Sequence, residues 1–232
     1  MKTALLILAA VVTVAPTVMA STTTCGNTTL DQYLTPNFTC ISGNLMFSNF
    51  DYSPASTPPG IVIPAGSIHV TPMTTTGDEG FQFAGGWNVG TQPDGTTSFQ
   101  DSVISFTVST VNGSATLEDL SLYFNGSASG TGLSSVTEQY CLGGTLVNCG
   151  AGNAGQLKVT NPPKMFMDGT TFAGVTSISV SKDIGVASGV GGTANISQVI
   201  NTFSQIPEPT SCLLLGTGLL GLGVLRKRSL RS

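Results

Sequence analysis

Period-two alternation of apolar and hydroxylated residues is what most restricts the fold of this chain. In DSVISFTVSTV, Ile104, Phe106 and Val108 alternate with Ser105, Thr107 and Ser109; in ATLEDLSLYF, Leu120, Leu122 and Phe124 alternate with Ser121 and Tyr123. Successive side chains of an extended strand point to opposite faces, so each run gives a ribbon with one face for a core and one for water. Asn112-Gly113 lies between the runs. A type I′ turn needs positive φ at both central positions, so the pattern predicts a β-hairpin there, with Asn125-Gly126 ending its second strand. Further strands are expected at residues 61–63, 67–70, 81–83, 156–160, 165–167 and 176–180, punctuated by SPASTPPG and GSASGTGLS. Short strands, regular turn chemistry and almost no helical periodicity predict an all-β chain, built as a single antiparallel β-sandwich of jelly-roll or Ig-like type.

Two segments depart from the pattern. Thr29 is placed to cap a single helical turn over residues 30–34. In NISQVINTF, Ile196, Val199, Ile200 and Phe203 recur at helical spacing, yet three of them are good strand formers, so a juxtamembrane helix and a last strand both fit. No internal repeat is present. There is no regular T-x-T array, the flat threonine face expected of many ice binders.

Both ends are hydrophobic in a way that belongs to transport. Lys2 leads into an apolar stretch over residues 4–14, then Val18-Met19-Ala20 before Ser21, the pattern of a secretory signal peptide over residues 1–20. At the other end, residues 210–225 hold no ionisable group except the Cys212 thiol, and Arg226, Lys227, Arg228 and Arg231 follow. Sixteen helical residues cover about 24 Å against about 30 Å of hydrocarbon, a short transmembrane helix. The cations mark its cytoplasmic side, leaving everything N-terminal to it outside. Pro207 and Pro209 stop helix propagation, so Pro207-Glu208-Pro209 is expected to stand extended above the lipid. Gly216, Gly218 and Gly221 have the spacing of a dinucleotide-binding turn, but inside a span they serve close helix approach instead.

The order Pro207-Glu208-Pro209, Leu/Gly-rich run, Arg226-Lys227-Arg228 closely resembles the PEP-CTERM sorting signal of Gram-negative bacteria, which membrane transpeptidase-like enzymes called exosortases recognise. The resemblance covers residues 207–232 only. It implies that Pro207, Glu208 and Pro209 carry recognition, that an exosortase is a partner, and that the chain is transiently anchored in the inner membrane. Removal of the tail would then leave the remainder at the cell surface or in the extracellular matrix. The same tail occurs on proteins of unrelated activity, some ice-binding proteins among them, so it implies destination and not chemistry.

The cargo between the ends is expected at residues 21–206, about 186 residues, enough for one well-buried domain. It holds three lysines against eleven acidic residues, a formal charge of −8, a surface with no attraction for nucleic acid. Of the three pairings open to its four cysteines, the local one, Cys25 with Cys40 and Cys141 with Cys149, closes two short loops and is expected in an oxidising compartment. With His69 the only histidine and no C-x-x-C pair, zinc is not expected, and no metal site is assigned.

Catalytic signals are poor. Asp78-Glu79 and Glu118-Asp119 are neighbours in sequence, which in a strand sends their carboxylates to opposite faces instead of across a cleft. His69 alternates with Ile68 and Val70 without a nucleophile elbow, and is expected on a polar strand face. Asp78, Glu79, Asp94 and Asp101 lie near glycine-containing loops that suit calcium, although no EF-hand-type loop is present. Trp87, with Phe81 and Phe83 nearby, is the one cluster that suits a glycan platform, the alternative being core. Five sequons, at Asn27, Asn37, Asn112, Asn125 and Asn195, suit turns as well as glycosylation. The expectation is an exported, exosortase-processed, surface- or matrix-associated β-domain with a structural or adhesive role and no catalysis. The alternative is a calcium-dependent glycan binder, with extracellular polysaccharide as its partner, or a secreted hydrolase whose site is assembled from distant loops.

Overall fold

The computed structural model describes residues 23–58, 60–75, 78–91, 95–111 and 115–207. The signal peptide, Glu208, Pro209, the apolar span with Gly216, Gly218 and Gly221, the cations Arg226, Lys227 and Arg228, Asp94 and the Asn112-Gly113 turn lie outside the described residues.

The chain forms two sheets facing one another across a hydrophobic core, as the alternation predicts. Its strands are β1 (Thr23–Thr24), β2 (Thr28–Thr29), β3 (Thr39–Ser42), β4 (Leu45–Thr57), β5 (His69–Thr75), β6 (Asp78–Ala84), β7 (Trp87–Val89), β8 (Phe99–Thr110), β9 (Ala115–Ser129), β10 (Leu133–Leu142), β11 (Ala154–Asn161), β12 (Met167–Val175), β13 (Ser177–Ala187) and β14 (Thr193–Pro207). The first sheet has the order β1-β3-β4-β8-β13-β10-β11, and the second β12-β9-β14-β6-β5-β2, with β7 also pairing β14. All described pairings are antiparallel except the two-residue match of β1 with β3. A short helix, α1 (Leu30–Tyr33), follows Thr29, whose hydroxyl bonds Asp31 and not the helix backbone, so the expected turn forms without the expected side-chain cap.

The predicted hairpin across Asn112-Gly113 does not form. Both edges of β8 are already taken, by β4 and β13, while β9 pairs β12 and β14 in the opposite sheet. The end of β8 is tied to its own sheet by Thr110 N–H to Thr176 O at 3.0 Å and Val111 N–H to Asn44 O at 2.9 Å, and β9 begins in the other sheet. Asn125-Gly126 likewise does not end β9: the strand continues to Ser129, and Gln198 pairs Asn125 while Ile196 pairs Gly126, leaving Ser197 as a bulge. That bulge settles NISQVINTF as strand. An extra residue reverses the side-chain parity, so Ile196 and Val199, three apart, both face the core and imitate helical spacing. Residues 61–63 are not a strand, and residues 65–67 form a 3₁₀ turn ahead of β5.

The core is aromatic at its centre. Phe47 and Phe81 lie 4.5 Å apart between ring centroids, Phe81 and Phe106 5.9 Å, and Phe106 and Phe203 6.2 Å, joining both layers. Gly86, at φ +63°, makes the break between β6 and β7, which run in the same direction along one edge of β14, and β7 aims Trp87 inward, where its indole N–H donates to Ser102 Oγ at 2.9 Å. The disulfides are Cys25–Cys40 and Cys141–Cys149, the expected local pairing. Trp87→Ala removes a fully buried side chain and leaves Ser102 Oγ with the Tyr52 hydroxyl, 3.0 Å away, as its remaining partner; it is expected to cost about 3–5 kcal/mol in chemical denaturation, whereas a loss below about 1 kcal/mol would place the indole outside the core.

Candidate functional site

Strand β14 leads from the core to the tail. It is inserted between β9 on one edge and β6 with β7 on the other, and its pairing runs to Gln205 with Leu117, Ile206 with Thr116 and Pro207 with Ala115. Pro207, the first residue of the triplet, is thus the last residue of a strand, and the domain meets the tail without an intervening linker.

The acidic pairs singled out in the sequence fasten this exit. Asp78, exposed, accepts a hydrogen bond from Ser204 Oγ at 2.9 Å; Glu79, facing inward, accepts from Gln205 Nε2 at 2.9 Å; Asp119 accepts the Ser204 backbone N–H at 3.2 Å. Glu118 occupies the bulge opposite the Ser204–Gln205 junction and accepts from Thr116 Oγ1 at 3.4 Å. The Asp78-Glu79 carboxylates do point to opposite faces, and no catalytic dyad arises from them. His69 lies exposed at the start of β5, on the outer face as expected. Asp101, on the outer face of the other sheet, is not brought together with Asp78 and Glu79, so the described carboxylates of the calcium set do not assemble. Among the described residues no three metal-ligating side chains cluster. The glycan-platform reading of Trp87, Phe81 and Phe83 is overturned: all three are fully buried. Of the described sequon residues, Asn27, Asn37 and Asn125 are exposed, whereas Asn195 is half-buried and donates to Trp87 O at 3.1 Å.

The outer face of the first sheet is hydroxylated, and the loop at Gly144 crosses part of it, accepting a hydrogen bond from Ser179 Oγ at 2.9 Å. Ser105 donates to Ser181 at 2.9 Å, and Thr107 and Ser179 lie 3.2 Å apart. On the same face Asp101 pairs Gly185 while Asp183 pairs Val103, placing two carboxyls diagonally across one ladder. Burial, then Asp183, pushes the Asp101 carboxyl up to about 7. The pole opposite Pro207, where β13 ends and β14 begins, carries exposed Phe99, Leu133, Val190 and Ile61.

Sequence reasoning missed a charged site in the core. Glu138 of β10 and Lys182 of β13 are register partners, both with no exposed surface, and Lys182 Nζ lies 2.8 Å from Glu138 Oε2. Asn201 of β14, in the opposite sheet, donates through Nδ2 to Glu138 Oε1 at 3.0 Å and to Ser121 O at 3.0 Å. The Lys182 ammonium sits 4.1 Å from the Phe106 ring centroid. Desolvation lowers the proton affinity of the Lys182 amine and raises that of the Glu138 carboxyl, each opposed by the other's charge.

Comparison with known proteins identifies the tail. Residues 205–228 match the PEP-CTERM protein-sorting motif. The chain carries a PEP-CTERM tail. The motif begins at Gln205, so the matched segment includes the last paired residues of β14. A PEP-CTERM motif implies export, processing by the membrane enzyme exosortase, and sorting to the cell surface. No curated protein sequence matches the chain. Among solved structures, the chain is similar to TmCBM61 in complex with β-1,4-galactotriose, at 10% identity and a TM-score of 0.32 over 68% of this chain and 88% of that one. It is also similar to the enzymatically active domain of bacteriophage CBA120 tailspike protein 4, at 13% identity and a TM-score of 0.28 over 68% of this chain, which spans 19% of the tailspike chain. At these values neither likeness bears on function.

Asp101 gives a pH prediction. Its folded value lies above the ordinary 3.8, so the protonated form favours the fold; that stability is complete below the unfolded value and is lost as pH rises through about 7. Asp101→Asn is expected to flatten the fall in Tm between about pH 4 and pH 8, and a variant with the wild-type pH profile contradicts the assignment.

Proposed function

We propose that this chain is a surface- or matrix-associated structural domain, delivered by exosortase and adhesive through the pole opposite its tail. The observation that carries this reading is the continuity of β14 with the PEP-CTERM motif, which leaves the folded cargo joined directly to its address. Recognition falls to Pro207, Glu208 and Pro209. Arg226, Lys227 and Arg228 hold the cytoplasmic end of a short span until the tail is removed. The cargo is built for an extracytoplasmic setting: two disulfides, few charges and hydroxylated sheet faces. Its work is contact and not catalysis, and exposed Ile61, Phe99, Leu133 and Val190 supply apolar contact area far from the membrane.

Glu208→Ala is expected to leave full-length precursor in the membrane fraction with both disulfides formed; mature protein appearing at the wild-type rate would remove Glu208 from recognition. For the adhesive pole, Phe99→Ser with Leu133→Ser is expected to lower retention of the protein in the extracellular matrix several-fold at unchanged export. Equal retention contradicts that assignment.

A further inference from the structure

The buried Lys182, Glu138 and Asn201 side chains form more than an ion pair with a neighbour. A single carboxylate holds an amine from the first sheet on one oxygen and a primary amide from the second sheet on the other, at 2.8 Å and 3.0 Å. All three residues are fully enclosed. The Nζ–Oε2 contact lies off the direction of a good hydrogen bond, so Lys182 Nζ, Glu138 Oε2 and Asn201 Oδ1 all keep unused hydrogen-bonding capacity in a place without solvent. As a structural device this is costly: a buried pair rarely outdoes well-packed apolar residues, and an unpartnered amide oxygen adds to the cost. The same arrangement is what an amide-exchange reaction requires. It needs an amine nucleophile, a carboxamide electrophile, and a carboxyl group within reach of both to move protons.

We propose that Lys182 and Asn201 become joined by an intramolecular isopeptide bond between the two sheets, with Glu138 as its catalytic acid and base. The amine, uncharged once its proton rests on Glu138, attacks Asn201 Cγ. A new C–N bond forms, and Oδ1, which no donor occupies, takes the developing negative charge and the proton from Glu138. The carboxylate then accepts a proton from Nζ and delivers it to Nδ2. The Cγ–Nδ2 bond breaks, Oδ1 returns its proton to Glu138 as the carbonyl re-forms, and ammonia departs. Atoms balance without a co-reactant: amine plus primary amide give secondary amide plus ammonia, with no change of oxidation state.

The surroundings favour that direction. Desolvation moves the amine toward its neutral nucleophilic form and the carboxyl toward its protonated form. Phe106 and Phe83 stand 4.1 Å and 5.7 Å from Nζ and exclude the water that would hydrolyse the amide instead. The fold supplies proximity, because β13 and β14 hold the two reacting groups only when the sheets have closed. The product would tie β13, an inner strand of the first sheet, to β14, which continues into the sorting tail. The inference stands apart from sorting, and its test does not depend on the tail.

The test is mass spectrometry of the exported protein, reduced, denatured and digested with trypsin. The cross-linked form resists cleavage after Lys182, and residues 165–182 stay joined to the peptide holding Asn201, lighter by one ammonia, about 17 Da, with fragmentation locating the link at Lys182 and Asn201. Separate, full-mass peptides ending at Lys182 and containing Asn201, recovered quantitatively from folded protein, would overturn the proposal. So would a link from Lys182 to Glu138, which loses water instead. Glu138→Gln, read on its protease-resistant fraction, is expected to keep the full mass; loss of ammonia at the wild-type extent removes Glu138 as catalyst. The wild-type spectrum decides the bond itself whether or not that variant folds.

Discussion

The meeting of Lys182, Glu138 and Asn201 in the core is the constraint on which the arrangement of the sheets depends. β10 and β13 are inner strands of the first sheet, and β14 is inner in the second. Apolar side chains attract without direction, so two greasy sheets could settle against each other in several registers. A buried carboxylate that must receive both an amine and an amide accepts few of them. Removing one partner from such a buried pair typically costs about 3–5 kcal/mol, comparable to a large share of a domain's net stability. The aromatic cluster then packs around a relation between the sheets that these polar groups specify, with Phe106 stacked against the amine itself.

From that centre β14 runs outward to the tail, so one strand is both the spine of the second sheet and the tether of the cargo. Its core half is held by Val199, Asn201 and Phe203 facing inward. Its exit is held differently, by carboxylates on two neighbouring strands that take hydrogen bonds from Ser204 and Gln205. Those acidic groups sit where the motif begins, at the pole from which the chain continues into the tail. Exit contacts that are polar and partly exposed open more readily than the aromatic core, which suits a segment that a processing enzyme must grasp.

The all-β character, the local disulfides and the sorting tail were legible in the sequence because each is written in local signals: alternation, cysteine spacing, and a tripartite terminus. Connectivity was not. Asn112-Gly113 reads as a hairpin turn, yet the neighbours of β8 are β4 and β13, and no local rule says which edges distant strands will occupy. β4 was missed because Asn49 and Pro54 interrupt it. Asn49, at φ +55°, forms a bulge, and Pro54 pairs Ser102 where β3 no longer covers the other edge. β10 was missed because its inward positions include Ser134 and Glu138, which invert the polar pattern of an ordinary core strand. The candidate strand at residues 176–180 stopped short for the same reason, since Lys182 looks like a surface residue until Glu138 is set opposite it. Trp87 could not be assigned between core and platform from composition, and β7 decided it by turning the indole toward Ser102.

The most direct test of this account is hydrogen–deuterium exchange across β14 in the full chain. If the strand is the spine of the second sheet and its end the opening point, amides at residues 199–203 exchange among the slowest in the protein, and those at residues 205–206 exchange much faster. Uniformly fast exchange along β14, with protection kept in β8 and β13, would contradict it.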